Sequence, residues 1–78
     1  MKIINVLELQ NGVPASITSF SNKDKDGNEK AEELFINTIE IYLGKQLDEE
    51  DKDFYLEEGY YGDEYGYEIY ILHSDINE

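Results

Sequence analysis

The sequence predicts an α+β domain of order β-β-α-α-β, with a three-stranded antiparallel sheet (strand order 2-1-3) and two helices on one face. Three observations carry this. An Asn-Gly pair at 11–12 joins two β-prone segments. Apolar residues recur at helical spacing between 31 and 43. A Tyr- and Ile-rich segment with alternating character runs through 65–73.

The first strand is expected over 2–9 (KIINVLEL) and the second over 13–20 (VPASITSF). Asn11 and Gly12 suit a type I′ turn, because both central positions need positive φ. That turn places Gln10 opposite Val13 and Val6 opposite Ile17. Ile4, Val6 and Ile17 then share one face; Ile3, Leu7 and Phe20 share the other. Pro14 has no N–H to give a ladder, so the second strand belongs at a sheet edge.

Residues 21–28 (SNKDKDGN) read as a polar loop, and a helix follows from about 28 to 43. Ala31, Leu34, Phe35, Thr38, Ile39, Tyr42 and Leu43 form its buried stripe. Glu29, Glu32, Glu33 and Glu40 fill much of the remainder, and the acidic start suits the positive end of the helix dipole. Gly44 marks a stop. Asp48 reads as the N-cap of a second, short helix that ends at Gly59, with Phe54 and Tyr55 as its anchors. Residues 60–66 (YYGDEYG) read as a turn or bulge. In the last strand Tyr65, Tyr67, Ile69 and Ile71 lie on one face; Glu68, Tyr70 and Leu72 lie on the other. The helical excursion is long enough for a right-handed crossover, which sets the last strand beside the first.

A chain of 78 residues is expected to form a single domain, 1–78. Its core is thin, and oligomerisation is one remedy for that. There is no Cys and one His, His73, so disulfides and Cys/His zinc chemistry are excluded. Neither a signal peptide nor a membrane span is expected, which makes the cytoplasm the default location. The net charge is -13. Such a chain does not bind the backbone of DNA or RNA directly, since that attraction needs Lys and Arg against phosphate.

Four constellations of residues bear on chemistry. The first is the acidic run between 40 and 68, in which Asp48, Glu49, Asp53, Glu57, Glu58, Asp63 and Glu64 are interleaved with aromatics including Tyr60 and Tyr61. One reading is a partner-binding surface in which carboxylates imitate a row of phosphates and Tyr supplies rigid contact area. The other is a solvated face that keeps a small protein soluble. The second constellation places Asn22, Asp24, Asp26, Gly27 and Glu33 at the spacing of an EF-hand calcium loop. Against it, Asn stands first, Glu29 takes an apolar position, and a strand precedes the loop instead of a helix. A polar turn leading into a helix accounts for the same residues. The third is carboxylate pairing for acid–base catalysis. A chain this short hardly forms a cleft of ~300 Å³, so no enzyme, no resident metal and no cofactor are expected. The fourth is the Tyr cluster. Because its members fall on both faces of the last strand, some apolar surface stays uncovered, which suggests a partner site or a homodimer.

In its opening VLELQNGVPASITSF and its closing YYGDEYGYEIYIL, the chain resembles the short acidic proteins of phages and mobile elements. Some of these, similar in size and charge, are anti-restriction or anti-CRISPR inhibitors that mimic nucleic acid. The resemblance implies a non-catalytic inhibitor whose partner is the basic surface of a nucleic-acid-binding protein. It carries over no individual residue.

Overall fold

The structure, a computed structural model, describes residues 2–21 and 25–75. Its elements are β1 (Lys2–Gln10), β2 (Val13–Ser21), α1 (Lys25–Leu43), α2 (Glu49–Glu58), β3 (Tyr60–Gly62) and β4 (Tyr67–Asp75). All strand pairs are antiparallel, and the order across the sheet is β2-β1-β4-β3. The sheet therefore has four strands where the sequence predicted three. The extra strand comes from the segment read as a turn: Tyr60, Tyr61 and Gly62 pair with Tyr70, Ile69 and Glu68. Three residues are too few to display an alternating pattern, so β3 is set by its partner strand. The rest of the expected order holds, with β1 central, β4 beside it, and β2 at the edge.

The hairpin turn forms as its residues require, with Asn11 at φ 52° and Gly12 at φ 78°. Gln10 faces Val13 as expected, but the register then shifts. Leu9 opposes Pro14 and Glu8 opposes Ser16, leaving Ala15 as the extra residue of a bulge. Bulges accommodate a proline that cannot join the ladder. One added residue flips every later side chain to the opposite face. Val6 thus faces Thr18, Ile17 pairs with Leu7, and Phe20 pairs with Ile4. Phe20 joins the core while Ile17 stays 65% exposed, the reverse of the expected assignment.

The core lies between one sheet face and the helices. Ile4, Val6, Tyr67, Ile69 and Ile71 from the sheet meet Ala31, Phe35, Ile36 and Ile39 from α1, with Leu47 closing one end. Ile36 was not in the expected helical stripe; it is buried where α2 packs along α1. Helix α1 begins at Lys25, three residues before the expected start. This places Asp26, Gly27 and Glu33 inside the helix, and Asn22 and Asp24 lie outside the described residues. Asp26 and Glu33 are separated by ~10 Å along the axis at 1.5 Å per residue, so they do not wrap a calcium ion as loop ligands must. Among the described residues, no group of three or more His, Cys, Asp or Glu side chains is placed to hold a metal ion.

Both caps of α2 are as expected. Asp48 accepts a hydrogen bond from the Asp51 N–H at 2.8 Å. Gly59 turns left-handed at φ 69° and donates its N–H to the Tyr55 carbonyl at 2.8 Å. The anchors of α2 differ from expectation. Tyr55 and Leu56 pack against the core, whereas Phe54 is 56% exposed. The short helix leans on α1 and β3 with one flank only, and position 54 falls off that flank. No helix among the described residues is long and apolar enough to cross a membrane.

Candidate protein-binding surface

Charge is distributed unevenly between the two layers. The helical layer carries Glu29, Glu32, Glu33 and Glu40 on α1 and Glu49, Glu50, Asp51, Asp53, Glu57 and Glu58 on α2. Between the helices runs an open groove of about 390 Å³. Its rim bears Glu29, Glu32, Glu33, Glu49 and Asp53, its floor Ile36 and Leu56, and Lys52 is its one cation. Lys52 approaches Glu49 at 3.9 Å; with Glu49 largely exposed, this contact contributes little to stability.

The acids of α2 are arranged to different effect at its two ends. Glu49, Glu50 and Asp51 occupy the first turn, where the helix dipole favours negative charge. Glu57 and Glu58 occupy the last turn, where the dipole disfavours it, and no basic residue stands there to compensate. Both are exposed.

The predicted site residues separate into three groups. Asp48, Glu49, Asp53, Glu57 and Glu58 are exposed on or beside α2 and share its surface. Asp63 is occupied internally. Its carboxylate accepts hydrogen bonds from the Tyr42 hydroxyl and from the backbone N–H groups of Tyr65 and Tyr67, the last two at 3.0 and 3.1 Å. It thereby shapes the β3–β4 turn and ties it to the end of α1. Glu64 is exposed on that turn. The two tyrosines diverge. Tyr61 faces the core, edge-on to Tyr55 at 5.4 Å, while Tyr60 lies on the sheet face away from the helices, 4.9 Å from Tyr70.

Sequence reasoning missed two parts of the surface. One is the contribution of α1 to the groove, although Glu29, Glu32 and Glu33 stand at i, i+3 and i+4 and so had to share a face. The other is the exposed aromatics. Phe54 and Tyr65, the latter 79% exposed, adjoin the acidic residues in place of Tyr60 and Tyr61. Tyr65 lies in the turn before the last strand, which begins at Tyr67 and not at 65 as the sequence predicts.

The surface also has hollows larger than the chain length suggested. Besides the groove, one of about 460 Å³ lies at the end of α1, and one of about 380 Å³ lies beside Glu8, Tyr42 and Tyr67. They open because the short α2 leaves the C-terminal half of α1 uncovered, including Ile41, which is 81% exposed. Two tyrosines line the last of these hollows, and Tyr42 is hydrogen-bonded to Asp63. The hydrogen bond to Asp63 pushes the Tyr42 phenol up to about 12, with burial adding to it. Burial, then the nearby Glu8 carboxylate, raises Tyr67. The Tyr42 hydroxyl and the two backbone N–H groups hold Asp63 below the usual carboxylate range, against some burial.

Fold and surface together define a two-layer α+β domain with an acidic helical layer and a weakly charged sheet. Comparison with protein families, curated proteins and solved structures yields no match.

Proposed function

We propose that this domain is a non-catalytic binding module whose acidic helical layer docks on the basic surface of a nucleic-acid-binding protein and competes there with nucleic acid. The carrying observation is the segregation of charge. A solubility device would spread carboxylates over the surface and cover exposed apolar area first. Here they crowd the helical layer, to the point of opposing the α2 dipole at Glu57 and Glu58, while the outer sheet face carries Glu68 as its one charge among the described residues and leaves Ile17, Tyr60 and Leu72 exposed. Exposed Phe54 offers a rigid apolar contact among the acids. Long-range attraction brings a basic partner to this layer quickly, and the interaction weakens as salt rises.

The test is affinity capture from lysate with the intact domain as bait, washed across a salt series and challenged with duplex DNA or RNA. The expected result is a nucleic-acid-binding protein released by salt and displaced by nucleic acid. Capture that salt and nucleic acid leave unchanged would overturn the reading.

A further inference from the structure

We propose that a second copy of this chain covers the open face of the sheet, forming a two-fold dimer with the two sheets face to face and the helices outside. The face is built by register. Ile17 pairs with Leu7, Leu7 with Tyr70, and Tyr70 with Tyr60, so one apolar row crosses all four strands on the side away from the helices. Ile3, Leu9 and Leu72 flank that row. Ile17 is 65% exposed, Leu72 44% and Tyr60 39%, so the described residues leave this face open to solvent. A row of large apolar side chains across a sheet marks an interaction surface rather than scattered surface hydrophobics.

Charge decides the occupant. At the strand positions on this face Glu68 is the one charged residue among those described, in a chain of net charge -13. A basic partner is drawn to the helical layer, not here. Two copies repel each other through any surface that carries the helical carboxylates. The open face is the one on which they meet with the fewest like charges opposed. Area is sufficient. Three nine-residue strands plus β3, at ~3.4 Å per residue and ~4.8 Å between strands, present roughly 500 Å² of projected face per copy. Pairing buries about 1,000 Å² in all, the lower bound for a specific interface. Aligned sheets pack ~10 Å apart with their side chains interdigitated, which gives this thin domain a second core. The dimer displays two acidic helical layers on opposite outer sides, ready for bivalent engagement.

The inference does not depend on the function proposed above, and salt separates the two. Screening the mutual repulsion of two acidic chains tightens the dimer, whereas it loosens an acid-to-base complex. The measurement is sedimentation equilibrium of the intact domain from low-micromolar to near-millimolar concentration, at low and high salt. The expected result is a shift to the mass of two chains that comes at lower concentration in high salt. Ile17→Lys and Leu72→Asp, both at exposed positions, should abolish the shift while keeping the far-ultraviolet circular dichroism of the parent. Ile41→Asp, on the helical side, should leave the shift intact. A parent that stays monomeric throughout, or a dimer broken by Ile41→Asp and untouched by Ile17→Lys, would overturn the proposal.

Discussion

Replacing Glu57 and Glu58 by Gln should make the domain more stable and a poorer binder. Both side chains are exposed on the last turn of α2, and no cation stands in that turn. Each carboxylate therefore opposes the partial negative charge of the helix end at a cost of about 0.3–1 kcal/mol at low salt. Glutamine keeps the length and helix propensity of glutamate, so the substitution removes charge and little else. The pair should gain about 1 kcal/mol, which for a domain of this size raises Tm by about 4–8 °C. Thermal unfolding followed by circular dichroism reads this directly. Repeating it at high salt supplies the control, because screening should shrink the gain. The same variant should hold a basic partner less tightly. A lower Tm at low salt would refute the reasoning, for it would mean that these carboxylates serve the fold.

The remaining predictions concern the core and the ionisable groups. Phe35→Ala removes a side chain with no exposed surface and should cost about 3–5 kcal/mol, a large share of the roughly 4–12 kcal/mol a chain this long has in total; urea titration should show a largely unfolded population at modest denaturant. The phenol of Tyr42 is raised in the folded state, so its contribution is complete below pH 10 and is lost as pH rises toward about 12. Tyr42→Phe should therefore flatten part of the alkaline loss of stability, with buried Tyr67 retaining another part. The Asp63 carboxyl is lowered, so its contribution is present above the ordinary carboxyl value of 3.8 and is lost as pH falls through its folded value; Asp63→Asn should flatten the acid limb.

Much of the fold was legible because local chemistry announced it. Asn11-Gly12 set the hairpin, Asp48 and Gly59 bounded α2, and the stripe from Ala31 to Leu43 gave α1 its buried face. The errors came where a single residue carried a large consequence. Ala15 in the bulge inverted the second strand, and no local pattern distinguishes a Pro14 followed by a bulge from one on a plain edge. Strand β3 owes its existence to β4, so three residues read alone gave no sign of it. Lys25-Asp26-Gly27 has loop composition yet forms the first turn of α1. At the candidate surface the acids of α2 are exposed, as a charge run in a short helix with one apolar flank must be. The groove needed two helices side by side, and the orientations of Phe54, Tyr60, Tyr61 and Tyr65 needed the register. Asp63 looked like another surface acid until the turn closed around it.

If the proposed function holds, partner binding resides in the helical carboxylates and not in the sheet. The most direct test compares partner capture by two variants. In one, Glu49, Asp53, Glu57 and Glu58 become Gln or Asn, leaving the Asp48 cap and the Asp63 turn untouched. In the other, Ile17→Lys and Leu72→Asp alter the open face. The first should lose the salt-sensitive partner while its circular dichroism is preserved, and the second should keep it. Retention by the first with loss by the second would contradict the proposal and place the binding site on the sheet.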